Sequence, residues 1–235
     1  MGIRRKGKTG LRYDVVILDI DGTIVDSNDA HAHAWVKALA QHGHDVNFDG
    51  VRSRIGMGGD KLLKQLVNID SESAAGRAIS ESKRSLFASD YLPALQPTPG
   101  ARPLIEWLKT QGAVVTIATS ATEQEVSGLL RAADVGDLID AVASSDDAEE
   151  SKPDPDIVNA ALKRSGGSKE CAIMIGDTPY DIEAATAAGI DTIAFRSGGW
   201  PDTALKHALA IFDHPEDLVT HWTDSPLARG TEQRT

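Results

Sequence analysis

A chain of 235 residues with 41% hydrophobic and 25% charged side chains has the composition of an ordinary globular protein, long enough to build a sizeable core. Its net charge of −11 at pH 7 argues against nucleic acid or an anionic membrane surface as the main partner, since both attract basic faces. The single cysteine, Cys171, excludes an intrachain disulfide, and no apolar run reaches the ~18 residues that a membrane span requires.

In chain order, residues 1–12 are basic, lack the apolar region of a signal peptide, and read as a flexible tail of a cytoplasmic protein. Val15 to Leu18 is a short, bounded, β-branched apolar run that predicts a buried strand. It leads into Asp19, Asp21 and Asp26, with Asp21-Gly22 supplying a turn. Carboxylates this close repel one another, so they need a cation or raised pKa values to coexist. Ser27 is placed to cap a helix running to Gln41, with Gly43 as its stop. Residues 46–92 contain no convincing strand. They offer helices at Gly59 to Val67 and Ser71 to Tyr91, and then Pro93, Pro97, Pro99 and Gly100 break the chain as a return linker.

Beyond the linker the pattern alternates. Helices are predicted at Arg102–Thr110, Thr122–Ala133, Asp154–Arg164, Pro179–Ala188 and Thr203–His207. Between them lie strands at Ala113–Ala118, Leu138–Ala143, Cys171–Ile175, Thr192–Phe195 and Leu209–Phe212. Such alternation predicts an α/β fold, a Rossmann-like parallel sheet with helices on both faces. The helical block interrupting it after the first strand predicts an inserted α-helical cap above the carboxyl ends of the strands. The expected division is a tail at 1–12, a core at 13–28 and 95–222, a cap at 29–94, and a disordered tail at 223–235.

In a parallel sheet the loops after successive strands face one crevice. Those loops carry Asp19, Asp21 and Thr23; Thr119 and Ser120; Lys152 within Ser151-Lys-Pro-Asp154; and Gly176-Asp177-Thr-Pro-Tyr-Asp181. Each has a plain structural explanation, as a helix cap, a surface lysine or an acidic helix start. Their joint placement is that of phosphoryl chemistry. A phosphate monoester is dianionic and will not approach a bare carboxylate unless a hard cation such as Mg²⁺ and an ammonium cancel charge. Hydroxyls and backbone amides bind phosphate oxygens, one Asp attacks phosphorus, and a second carboxylate moves protons.

Asp19-Ile-Asp21-Gly22-Thr23, Thr119, Lys152 and Gly176-Asp177-Thr-Pro-Tyr-Asp181 resemble, in order and spacing, the four motifs of the haloacid dehalogenase superfamily. The resemblance spans about residues 13–220, cap included. It implies Asp19 as nucleophile and metal ligand, and Asp21 as general acid/base and, through its carbonyl, a second ligand. It further implies Asp177 as a Mg²⁺ ligand, Asp181 and Gly176 in support, and phosphate held by Thr119, Ser120 and Lys152. Dehalogenase members lack the second carboxylate, so Asp21 favours a phosphatase.

The segment Asp26-Ser27 to His31 is similar to the phosphoglycolate phosphatase and β-phosphoglucomutase branch. There His31 matches a position that switches the acid/base residue on cap closure, and Gly56, Met57, Gly58 and Gly59 match the substrate-facing cap loop. Mutases of this branch carry an arginine in that loop. Gly58-Gly59 stands here instead, with Arg54 or Lys61 as possible replacements, which favours a hydrolase. The expectation is a Mg²⁺-dependent phosphatase, monomeric or a weak homodimer, acting on a small phosphorylated metabolite, phosphoglycolate- or sugar-phosphate-like. The alternatives are a sugar phosphomutase and, less favoured, a phosphoacceptor signalling module.

Overall fold

The computed structural model describes residues 10–228. Its core is one parallel sheet of six strands: β1 (Val15–Leu18), β2 (Val114–Ala118), β3 (Ala141–Ala143), β4 (Ala172–Gly176), β5 (Asp191–Phe195) and β6 (Ala210–Phe212), in the order β3-β2-β1-β4-β5-β6. The chain winds outward from β1 one way to β3, then returns past β1 to β4 and winds the other way. The strand order therefore reverses between β1 and β4, the place where open α/β sheets form their binding crevice. Leu18 pairs with Ile117 on one side and Ile175 on the other, so the residues just past each strand end level with one another.

Every residue of β1 is buried because both sheet faces are covered. Val16 and Leu18 point to the face packed by α5 (Ala101–Thr110), α6 (Glu123–Ala132) and α10 (Pro215–Thr220), through Leu104, Leu129 and Leu218 among others. Val15 and Ile17 point to the opposite face, where α7 (Asp156–Ser165) and α8 (Pro179–Ala188) supply Val158, Ala161 and Ala185. The two-residue period of a strand thus divides one four-residue segment between two cores.

Between β1 and β2 stand α1 (Asn28–Gln41), α2 (Phe48–Arg52), α3 (Gly59–Val67) and α4 (Ala74–Leu86), which share an apolar cluster centred on Trp35, Leu39, Leu62, Leu63 and Ile79. The chain enters and leaves this layer side by side. Val25 bridges Pro97, Asp26 N–H donates to Gln96 C=O at 2.9 Å, and Thr98 Oγ1 donates to Thr23 C=O at 2.7 Å.

Several local expectations are corrected. Ser27 precedes α1 but makes no capping bond, because its hydroxyl donates to Asp21 instead. The helix expected from Ser71 starts at Ala74, where Ser73 Oγ caps the Gly76 N–H, and widens to a π turn at Phe87–Tyr91. The five-residue α2 and six-residue α10 are too short to show helical periodicity; Asn47 caps the first, and Pro215 opens the second. The last strand starts at Ala210 rather than Leu209, and the short helix α9 is Asp202–Leu205, shifts of one or two residues. Of the two expected tails, residues 1–9 and 229–235 lie outside the described residues. The remainder is fixed: Leu11 and Leu227 are 0% exposed, and Leu11 bridges Ala228. Both are isolated leucines in polar surroundings, so neither carries a periodic signal.

Candidate active site

The turn after β1 is held by the backbone of Ile20, whose carbonyl accepts the N–H groups of Thr23, Ile24 and Val25. Gly22 adopts φ +76°, and a Cβ there would lie 2.1 Å from Asp177 Oδ2, so both conformation and space demand glycine. Gly176 ends β4 under the same restriction, since a Cβ would meet Asp181 Cγ at 2.5 Å.

At the reversal of strand order four charged groups are buried together. Asp19 Oδ1 accepts from Lys152 Nζ at 2.6 Å. The same ammonium donates to Asp181 Oδ1 at 2.8 Å and to Ala118 C=O at 2.9 Å, which uses all three of its hydrogens. Asp181 Oδ2 accepts from Thr178 Oγ1 and from the N–H groups of Asp177 and Thr178, closing a capping box at the start of α8. Asp177 accepts from Thr23 Oγ1 at 3.0 Å and from Asn28 Nδ2 at 2.8 Å. Oxygen atoms of Asp19, Asp177 and Asp181 lie within 4.8 Å of one another, a group able to hold a metal ion.

The charge balance follows. Burial lifts Asp19 to about 7 against the pull of Lys152, with Asp181 and Asp21 adding to the rise. Burial, with Asp181 and then Asp19, raises Asp177 well above the carboxylate range. Burial would depress Lys152, but Asp181 and Asp19 outweigh it and raise the ammonium instead. One ammonium is too little for three buried carboxylates, and an all-oxygen donor set short of positive charge fits a hard divalent cation.

Asp21 faces away from this cluster. Its Oδ1 accepts from Ser27 Oγ at 2.5 Å and pairs with His31 Nε2 at 2.8 Å, and the His31 ring stacks on Phe87 with centroids 3.9 Å apart. Burial pushes Asp21 up, but the charge and hydrogen bond of His31, helped by Ser27, bring it down to about 2.

Above lies a cavity of 560 Å³ between the strand ends and the helical layer, within the usual range of about 300–1,000 Å³ for small-ligand sites. It reaches Asp19, Asp21, His31, Thr119, Ser120 and Lys152, and the loop Gly56–Gly59 from the helical layer. Ser120 Oγ donates to Gly56 C=O at 3.4 Å, so that loop touches the β2 strand end directly. Gly58 and Gly59 also begin α3, and a Cβ on either would collide, with Ser151 at 2.1 Å and Trp35 at 2.9 Å. Thr119 is buried with its Oγ1 accepting the Ala121 N–H. Thr23, Gly176, Asp177 and Asp181 do not line the cavity; behind it Asp181 holds Lys152 and Thr23 holds Asp177.

The two cations considered as replacements for a mutase arginine are engaged elsewhere. Arg54 donates to Gly50 C=O and Gln65, and Lys61 pairs with Asp154 and Glu150. Sequence reasoning missed Asn28, Phe87, Lys83 and Glu125. A signal for Lys83 exists: it occupies the apolar stripe Ile79-Lys83-Phe87, spaced i, i+4, where an ammonium is out of place without a buried partner. That partner is Glu125, at 2.8 Å. Nothing in the sequence links the two.

A doubly wound parallel sheet with buried carboxylates and one ammonium at its switch point, beneath a helical layer inserted after β1, has the architecture of a Rossmann-like α/β enzyme. The model of the haloacid dehalogenase-like hydrolases matches residues 16–195, and the chain belongs to that family. Phosphoglycolate phosphatase 1 of Pseudomonas aeruginosa is 30% identical, over 87% of this chain and 78% of its own length. Phosphorylated carbohydrates phosphatase of Thermotoga maritima is 27% identical, over 77% and 83%. A crystallised hydrolase from Pseudomonas syringae superposes with a TM-score of 0.84 at 29% identity, covering 89% of this chain and 98% of that one. Among the described residues no helix is long and apolar enough to cross a membrane.

Proposed function

We propose that the protein is a Mg²⁺-dependent phosphatase that hydrolyses a small phosphorylated metabolite through an aspartyl-phosphate on Asp19. The observation that carries this reading is the buried Lys152 ammonium bridging Asp19 and Asp181, with Asp177 alongside and Asp21 on the cavity wall. The similar phosphatases support the substrate class.

In this reading Asp19 attacks phosphorus, and the ester P–O bond breaks as the Asp19–phosphorus bond forms. A proton passes from Asp21 to the departing alkoxide. Water then attacks the aspartyl-phosphate and gives its proton to Asp21, which frees inorganic phosphate and restores Asp19. Asp21 is ionised in the arrangement observed, the state the base half requires, and the proton it takes from the attacking water restores the acid for the next turnover, while His31 Nε2 at 2.8 Å and Ser27 Oγ at 2.5 Å orient its carboxylate. Lys152 holds Asp19 in place and takes up charge on the phosphoryl oxygens; Ser120 and the amides after β2 bind those oxygens, with Thr119 bracing that turn. Mg²⁺, held by Asp19 and Asp177 with the Asp21 carbonyl, supplies the charge that lets a dianion approach a carboxylate. Asp181, with both oxygens already taken by protein donors, supports from behind. The layer 29–94 serves as the cap and Gly56–Gly59 as its substrate-facing loop. The enzyme works in the cytoplasm as a monomer or weak homodimer. Release of phosphate from p-nitrophenyl phosphate with Mg²⁺, abolished by EDTA, is the direct test. A persistent phosphoenzyme without turnover would favour a phosphoacceptor role, and bisphosphate-stimulated interconversion of hexose 1- and 6-phosphates a mutase.

Two outcomes are expected around this centre. Asn28→Ala frees Asp177 Oδ2 from its 2.8 Å donor and leaves the carboxylate less well oriented. Mg²⁺ binding, titrated calorimetrically without substrate, weakens about tenfold. His31→Ala leaves burial at Asp21 unopposed by its main partner. A carboxylate depressed to about 2 contributes stability above its unfolded pKa of about 3.9 and loses it as pH falls through 2. Without His31 the folded-state pKa rises toward that reference, so this contribution shrinks and stability falls less steeply on the acid side. The alkaline limb of kcat/KM, set by the need for a protonated Asp21 in the first step, moves up with that pKa, alongside a drop of roughly 10²-fold.

A further inference from the structure

The cavity wall on the side of Asp21 and His31 carries an ion pair to which the chemistry above assigns no step. Lys83, on α4, donates through Nζ to Glu125 Oε1, on α6, at 2.8 Å, and the two side chains are only 10% and 11% exposed. The Lys83 ammonium lies 5.0 Å from the Phe87 ring centre and 5.9 Å from that of Trp35, so aromatic surface surrounds it as well. Glu125 Oε2 is itself held by Thr122, through the N–H at 3.1 Å and Oγ1 at 3.0 Å. Burial pushes Glu125 up, but Lys83 and then His31 bring it below the ordinary range, so it keeps its charge and cancels that of Lys83.

Other cations do not make up the difference. Lys152 is spent on Asp19, Asp181 and Ala118 C=O, while Arg84 stands at the open rim, paired with Glu81. Against Lys83, Arg84 and Lys152, the carboxylates lining the cavity are Asp19, Asp21, Asp60, Glu72, Glu125 and Glu149. A bound Mg²⁺ and the phosphoryl group would settle the balance at Asp19, but not beside the Lys83–Glu125 pair. There, a second anionic group on the substrate would meet carboxylates and a cation already neutralised. A neutral hydroxylated group would find acceptors on Glu125, unused N–H donors on Lys83, the hydroxyls of Ser80 and Ser120, and the ring of Trp35.

We infer that the substrate is the monophosphate of a neutral polyol or sugar, and that the Lys83–Glu125 pair excludes leaving groups bearing a carboxylate or a second phosphate. This rests on the phosphatase reading and narrows it. The test uses the full chain with Mg²⁺ on size-matched pairs: 2-hydroxyethyl phosphate against phosphoglycolate, glycerol 3-phosphate against 3-phosphoglycerate, and glucose 6-phosphate against 6-phosphogluconate. The neutral member of each pair is expected to have the higher kcat/KM by about tenfold or more. Glu125→Gln keeps an acceptor for Thr122 while uncovering the charge of Lys83, and is expected to raise kcat/KM on the acidic members about tenfold, the neutral ones changing less. Preference of the unaltered enzyme for the acidic members, with p-nitrophenyl phosphate still hydrolysed, overturns this inference alone. So does a Glu125→Gln variant that shifts both members of each pair equally. Absence of phosphate release from every compound, p-nitrophenyl phosphate included, overturns the phosphatase reading and this inference with it.

Discussion

Asp19→Asn abolishes phosphate release, with a fall of at least about 10⁴-fold in kcat measured on p-nitrophenyl phosphate at saturating Mg²⁺. The amide has nearly the volume of the carboxylate and still offers Lys152 an oxygen, so the site stays packed while its nucleophile is gone. Folding should hold or improve. The carboxylate it replaces is buried, repelled by Asp181 and Asp21, and pushed up to about 7, so removing its charge relieves a cluster rich in negative charge. A thermal melt at or above that of the unaltered protein, together with lost turnover, separates a chemical role from a structural one. Turnover within tenfold of normal would remove Asp19 from the nucleophile's place.

Lys152→Met has the second large effect, on stability as well as rate. The ammonium is 1% exposed and is the one cation bonded to Asp19 and Asp181 among the described residues. Its loss leaves two buried carboxylates facing each other and the Ala118 carbonyl without its donor. Breaking a buried ion pair by deleting one partner costs about 3–5 kcal/mol. For a chain of this length that lowers Tm by about 6–20 °C. The direction with pH is a further check. With the cation gone the Asp19 carboxylate rises further, so the variant regains part of its stability as pH falls toward 5 and that group takes up a proton, before general acid unfolding sets in. Mg²⁺ should rescue stability in part, since it replaces missing positive charge, whereas catalysis stays lost. Equal melting temperatures for variant and unaltered protein would show that the pairing contributes nothing.

How much of this could be read from residues alone differs by element. Val15–Leu18 and its acidic turn are local: four apolar β-branched or branched residues, then carboxylates and a glycine, with no distant contact needed to recognise them. The loop from Gly176 to Asp181 is legible for the same reason, since Thr178, Pro179 and Asp181 spell a helix start whatever packs on it. Short elements were not legible. Neither α2 nor α10 completes two turns, so a buried face cannot repeat, and the caps that mark them use Asn47 and His214, residues common in loops. The described inner parts of the two expected tails, residues 10–12 and 223–228, were hidden for a different reason. Leu11 and Leu227 are each a lone apolar residue, and only their meeting across 216 positions makes a packed edge.

The same division runs through the site. Its parts list, Asp19, Asp21, Lys152, Asp177 and Asp181, was written in the sequence because each follows a strand end and a parallel sheet must bring such ends together. That argument places groups in one crevice but assigns them no partners. Only the folded chain decides that Lys152 spends every hydrogen on Asp19, Asp181 and a carbonyl, that His31 and Ser27 share one oxygen of Asp21, and that Asn28 turns Asp177. It alone decides that Lys83 and Glu125, 42 positions apart on different layers, cancel each other's charge on the cavity wall. The physical reason is range. Propensity and periodicity act over a turn or a strand, whereas burial, ion pairing and the pKa values they set depend on which distant groups share a few ångströms of low-dielectric space. The sequence by itself determined which charged groups gather and where; the tertiary structure decided their partners and charge states and set the Lys83–Glu125 pair on the cavity wall.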